Sequence, residues 1–174
     1  MLPTLLDDVE SDISDIEFLP ADSSVAIDHG ITQVVAGSVG SGSGQRAAVW
    51  VYRGDEWYQV ESDTFSVERR EWTFRLSVGA DGELLILGST TADDGEITPV
   101  AWSSTDGENW TRSSASFDVL PDTTLSDAAF GAAGVVILGR FLDGSLSHSQ
   151  IYVSADGVEW EQSVPPSFVG DADV

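Results

Sequence analysis

The sequence predicts an all-β chain made of three copies of one four-stranded antiparallel unit, and three observations carry that prediction. Apolar strings end on a glycine at constant spacing: Val34-Val35-Ala36-Gly37, Leu85-Ile86-Leu87-Gly88 and Val136-Ile137-Leu138-Gly139, so the glycine recurs every 51 residues. Two aromatic series keep nearly the same interval, first Trp50, Trp102 and Tyr152, then Trp57, Trp110 and Trp160. Short runs rich in β-branched and aromatic side chains alternate with Gly, Asp and Ser clusters, the signature of strands and turns, and no helical periodicity is sustained.

A period of roughly 20–50 residues marks one supersecondary unit stacked several times, and four strands in about 50 residues is the size of one β-propeller blade. Residues 1–17 precede the units and hold six acids, Asp7, Asp8, Glu10, Asp12, Asp15 and Glu17, which predicts a flexible acidic lead-in. A phenylalanine series, Phe18, Phe65, Phe117 and Phe168, opens the units. Blade one then spans 18–64, blade two 65–116 and blade three 117–167, while 168–174 starts a further repeat or a closing strand.

Each unit repeats one order of elements. A first strand (24–28, 72–78, 125–130) leads to a glycine turn (29–30, 79–82, 131–134), and the apolar string to the periodic glycine follows. A polar loop comes next (38–46, 89–98, 140–149), then a third strand carrying Trp50, Trp102 or Tyr152. A tight turn and a fourth strand starting at Trp57, Trp110 or Trp160 complete the unit. The loops at 38–46, 89–98 and 140–149, with 61–71 and 113–124 between units, differ in every unit and lie on one face; variable loops on a rigid scaffold predict the recognition surface there, with the central channel as the alternative.

The turn between the third and fourth strands is the sharpest local motif. Units two and three read Ser104-Thr105-Asp106-Gly107-Glu108-Asn109-Trp110 and Ser154-Ala155-Asp156-Gly157-Val158-Glu159-Trp160. Asp-Gly favours a two-residue type I′ hairpin, which sets Ser103 opposite Trp110, Ala101 opposite Arg112 and Val153 opposite Trp160. Unit one, Arg53-Gly54-Asp55-Glu56-Trp57, inverts the pair and suits type II′.

Ser-x-Asp-Gly-x-x-Trp at the end of a third strand resembles the Asp-box (BNR) hairpin of sialidase-like β-propellers, in a form one residue shorter between Asp and Gly. The resemblance covers about residues 18–167. It implies that Ser104, Asp106, Gly107, Trp110, Ser154, Asp156, Gly157 and Trp160 are folding elements lying away from any active site. The family's Phe/Tyr-Arg-Ile-Pro entry motif is absent; Arg69, Arg70 and Arg75 cluster in unit two, while Arg46, Arg53, Arg112 and Arg140 stand mostly at strand or turn positions, so Arg69-Arg70 is expected to pair with the acidic surface rather than clamp a carboxylate.

Charge and missing residue types narrow the function classes. Thirty acids against seven arginines give a net charge of −23, which disfavours nucleic acid and anionic membranes as partners. No apolar run approaches the ~18 residues that cross a bilayer, so membrane insertion is not expected. The acidity suits an extracellular or cell-surface protein, or alternatively the cytoplasm of a salt-adapted organism. Without cysteine, disulfides, zinc–thiolate sites and thiol catalysis are excluded. His29 and His148 stand apart, as expected of loop residues, and no metal site is expected. Thr91-Ala92-Asp93-Asp94-Gly95-Glu96 resembles a fragment of a calcium loop without its distal glutamate, which leaves calcium as a weak cofactor candidate and otherwise none.

The candidate binding-face residues are Arg69, Arg70, Asp93, Asp94, Glu96, Asp143 and His148, and no catalytic residue is assigned. Because propellers close with about four to eight blades, three predict a homo-oligomer or further blades of a longer chain. The expected function is a non-enzymatic scaffold or binding module with a glycan or protein ligand. The alternative is part of a sialidase- or glycosidase-like propeller whose catalytic residues lie partly in other blades. Changes at Glu71 or Arg70 are the natural test of that alternative.

Overall fold

Strand-forming runs broken by glycine and aspartate turns produce twelve strands in the computed structural model, which describes residues 25–29, 32–40, 44–53, 55–65, 70–92, 95–113, 123–143 and 146–163. In chain order they are β1 (Val25–His29), β2 (Thr32–Val39), β3 (Arg46–Arg53), β4 (Glu56–Gln59), β5 (Arg70–Val78), β6 (Leu84–Thr91), β7 (Ile97–Ser104), β8 (Thr111–Arg112), β9 (Thr124–Gly131), β10 (Gly134–Asp143), β11 (Leu146–Ser154) and β12 (Glu161–Ser163). Every sheet is an antiparallel meander of four consecutive strands: β1 to β4, β5 to β8, and β9 to β12. The described residues contain no α-helix, and the chain is all-β.

Alternation along each strand sorts its side chains onto two faces. Val34, Ala36, Ala47, Val49 and Val51 form the back face of the first sheet and pack on Leu76, Leu84, Ile86, Val100 and Trp102, the front face of the second. Leu85, Leu87 and Ala101 form the back face of the second sheet and pack on Leu125, Val135, Ile137 and Tyr152, the front face of the third. The two interfaces use residues one repeat apart, Val34 and Leu85 on one side, Ile86 and Ile137 on the other. A sheet covered on both faces needs an unbroken apolar strand, which is why β6 begins Leu84-Leu85-Ile86-Leu87, all buried.

A close contact explains the periodic glycine of the third unit. A Cβ at Gly139 would lie 2.8 Å from the Tyr152 ring, so a side chain there would collide with the aromatic of the next strand. Opposite the glycine, the first strand of the sheet carries a β-bulge: pairing skips between Thr73 and Arg75 across from Gly88 and Leu87, and between Leu125 and Asp127 across from Gly139 and Leu138.

Three local expectations are corrected. Much of the predicted polar loops is strand, since β2, β6 and β10 run on to Val39, Thr91 and Asp143 and β7 and β11 begin at Ile97 and Leu146. Polarity in those stretches does not break the strands: Ser38, Ser89 and Thr90 are buried, and the backbone pairs because a partner strand runs alongside. Both histidines are accordingly in strands rather than loops: His29 ends β1 opposite Thr32, and His148 lies in β11 opposite Phe141 with the rings stacked at 4.9 Å. In the first sheet Arg53 pairs with Glu56 and Asp55 has φ 69°, which type II′ does not allow at its second central position.

The third correction concerns register. Trp102 pairs with Arg112 and Ser103 with Thr111, one residue away from the two-residue hairpin predicted. The third sheet slips identically, Val153 pairing with Glu161. A one-residue slip moves every side chain of a strand to the other face, so the turn chemistry decides what the fourth strand presents.

Candidate functional site

Side-chain hydrogen bonds, rather than a tight backbone turn, shape the two Asp-Gly hairpins. Ser104 Oγ accepts from the N–H groups of Asp106 at 3.2 Å and Gly107 at 2.9 Å, and donates to Asp106 Oδ1 at 3.1 Å. That carboxylate oxygen also accepts from the N–H groups of Glu108 at 2.9 Å and Asn109 at 2.7 Å. Ser154 and Asp156 repeat the pattern: Ser154 Oγ accepts from Asp156 and Gly157 N–H and donates to Asp156, which accepts from Val158 and Glu159 N–H. Only the glycines adopt positive φ, 78° at Gly107 and 74° at Gly157. The aspartate thus organises a six-residue loop, and this accounts for the register slip.

These bonds set the acidity of both carboxylates. For Asp106, burial pushes the pKa upward as the largest single influence, but hydrogen bonds from Asn109, Ser104 and its own backbone together hold it below the ordinary value. Asp156 is lowered first by the Glu159 and Val158 N–H groups and then by Ser154. Both are ionised acceptors engaged in turns, so neither is available as a proton donor near neutrality.

The rest of each motif faces the neighbouring sheet. Trp110 is buried among the residues between the first two sheets, and its Nε1–H donates to Gly107 O at 2.8 Å. Trp160 occupies the matching place between the second and third. A Cβ at Gly107 would meet Val34 at 3.0 Å, and one at Gly157 would meet Ser103 at 3.2 Å, so each glycine turn rests on the back face of the preceding sheet.

On this same turn-bearing end, a cleft of about 830 Å³ opens between the second and third sheets, in the range of small-ligand sites. Asp81, Glu83, Asn109, Thr111 and Asp156 line it together with the Phe130 ring, and no arginine among the described residues does. Glu83 and Phe130, from different sheets, converge over Gly79: a Cβ there would lie 2.5 Å from Glu83 Oε2 and 3.0 Å from Phe130 Cδ1. The differing loops, where the sequence predicts recognition, lie at the opposite end. Asp81-Gly82-Glu83 reads as a turn in isolation, and only the stacking of the third sheet adds Phe130 to it.

The structure does not gather the predicted binding-face residues. Arg69, Asp93 and Asp94 lie outside the described residues, and Asp143 ends β10. Arg70 starts β5 and donates from Nε to Gln45 Oε1 at 3.3 Å. Glu96 is an exposed residue of the β6–β7 turn, whose backbone closes between Ala92 and Glu96. Glu71 is fully buried and pairs with Arg112 at 3.1 Å, the guanidinium lying 5.9 Å from the Trp102 ring centre. A carboxylate so enclosed ties the first strand of the second sheet to its last. Among the described residues, no three His, Cys, Asp or Glu side chains are grouped to hold a metal ion, and no helix is long and apolar enough to cross a membrane.

No protein-family model matches the chain, and no curated protein does. Among solved structures, a glycosyl hydrolase from Bacteroides ovatus matches with a TM-score of 0.48 and 13% identity, over 86% of this chain and 51% of that one. This chain therefore spans about half the length of that enzyme. The expectation of a non-enzymatic module is corrected on this finding, since the matched neighbour is an enzyme.

Proposed function

We propose that this chain is a propeller-type module of a glycosidase-like protein, its three sheets standing as blades and its turn-bearing end engaging a glycan. Some of the reacting groups would come from outside the described sheets. The observation that supports the reading is the convergence of Glu83 and the Phe130 ring in the cleft between the second and third sheets. A sugar offers an apolar ring face and a rim of hydroxyl donors. An aromatic ring suits the former, and carboxylate and amide oxygens suit the latter. The Ser-x-Asp-Gly-x-x-Trp hairpins, with their repeated hydrogen-bond pattern, support the Asp-box resemblance as the scaffold of that cleft.

The test combines a glycan array with a panel of fluorogenic glycosides. Retention of a defined glycan, weakened about tenfold by Glu83→Gln or Phe130→Ala, is the expected result. Turnover lost in the same variants would locate the reaction at the cleft. A chain that retains no glycan and cleaves no glycoside sinks the proposal.

A further inference from the structure

From the exposed back face of the third sheet we infer that this surface binds the same surface of a second copy, making a two-fold dimer. Back faces of the first two sheets are buried: Val34 and Leu85, one repeat apart, are 0% and 1% exposed. Their counterpart in the third sheet, Val136, is 43% exposed, and so is Leu138, the counterpart of Ala36 and Leu87. Val153 lies beside Val136 and Ile151 beside Leu138, so four aliphatic side chains form a contiguous patch. No other sheet face among the described residues has two adjacent large apolar side chains so exposed.

Shape and charge favour a second copy of this same face as the occupant. Within the molecule a back face is covered by an aromatic-bearing front face, but the first sheet's front face is already buried, with Trp50 3% and Val35 7% exposed. Head-to-tail stacking of two copies would have to uncover it. The third sheet's back face is instead suited to itself. Arg140 lies on this face at one end of the patch, and Glu161, beside Val153, lies at the other. A two-fold axis crossing the strands at the Leu138 row reverses the rows, which brings Arg140 of one copy toward the Glu161 end of its partner and the reverse, while Asp127, beside Leu138 on the axis row, has its charge offset by Arg75 of its own second sheet. A hollow of about 960 Å³ at the Glu161 end, lined by Ala129, Val136, Val153 and Trp160, gives the Leu138 end of the partner a place to seat. Two aliphatic sheet faces then pack about 10 Å apart, as in a sandwich.

Light scattering across a concentration series tests the inference on the full chain. A dimer is expected, with Val136→Asp shifting it to monomer. The milder pair Val136→Thr and Leu138→Thr, which keeps strand propensity, should weaken it at least tenfold while circular dichroism stays unchanged. The sequence has no cysteine, so Leu138→Cys can be bridged by a short bis-maleimide, and a covalent dimer is expected in high yield. A monomer at all concentrations, a dimer indifferent to these substitutions, or a dimer that the Leu138→Cys variant does not bridge would each overturn it. This test is independent of the glycan reading, because Glu83 and Phe130 are left intact.

Discussion

Gly107 and Gly157 satisfy two separate demands, a left-handed backbone and contact with the preceding sheet. Alanine at either position meets both penalties, whereas Gly95 has a φ of +90° but open space around it. Gly107→Ala should therefore cost about 2–3 kcal/mol and Gly95→Ala about 1 kcal/mol. Urea midpoints at unchanged slope will check the difference. The aspartates give a pH signature. Asp106 has a folded pKa below its ordinary 3.8, so its ionised form adds stability above that value and loses it as pH falls through the lowered folded value. Asp106→Asn should thus be less stable than the parent at pH 7, with the gap narrowing as the pH falls through the lowered folded value. An unchanged gap in acid would show that charge is not what the turn uses.

At the level of elements, the link between the first and second sheets is more than apolar contact. Phe65 packs against Trp102 and Trp110, with ring centres 5.8 and 6.2 Å away, and Trp102 Nε1–H donates to Thr64 O at 3.0 Å. Glu71 N–H donates to Gln45 O at 3.0 Å, and its carboxylate meets Arg112 from β8. Removing one member of a buried pair strands the other in low dielectric. Arg112→Met should therefore cost about 3 kcal/mol, more than Glu71→Gln, which removes the buried charge itself. Thermal unfolding of the two variants will rank them, and the reverse order would mean that Arg112 acts mainly through its contact with Trp102. By contrast, Arg75 and Asp127 bridge the second and third sheets at 3.5 Å while both are largely exposed, so their pair contributes little.

For the whole molecule, a net charge of −23 sets a repulsive background against which the stacked sheets must hold. Salt screens exposed charges over about 10 Å at 0.1 M, so the melting temperature should rise by several degrees between low salt and about 1 M sodium chloride. Calorimetry measures this directly; a fall would mean that pairs such as Arg112–Glu71 outweigh the general repulsion. The repeat was legible because burial on two faces leaves a periodic trace: glycine under an aromatic, and an apolar string wherever a strand is covered on both sides. Trp110 and Trp160 were legible for the same reason, each closing a hairpin whose turn rests on the preceding sheet.

What lay beyond the sequence were the relations between units. The register of the last strands depends on whether Asp106 and Asp156 bend the backbone themselves or accept N–H groups around a wider loop, and a dipeptide preference does not distinguish these. The cleft needs Glu83 and Phe130, 47 positions apart, to meet over Gly79, and no local pattern encodes a meeting between sheets. Local periodicity is written by each strand's own two faces, so strand order and sheet count could be read from it. Which faces are covered, which stay open and which carboxylates share a cleft are properties of stacking, where contacts join residues far apart in the chain.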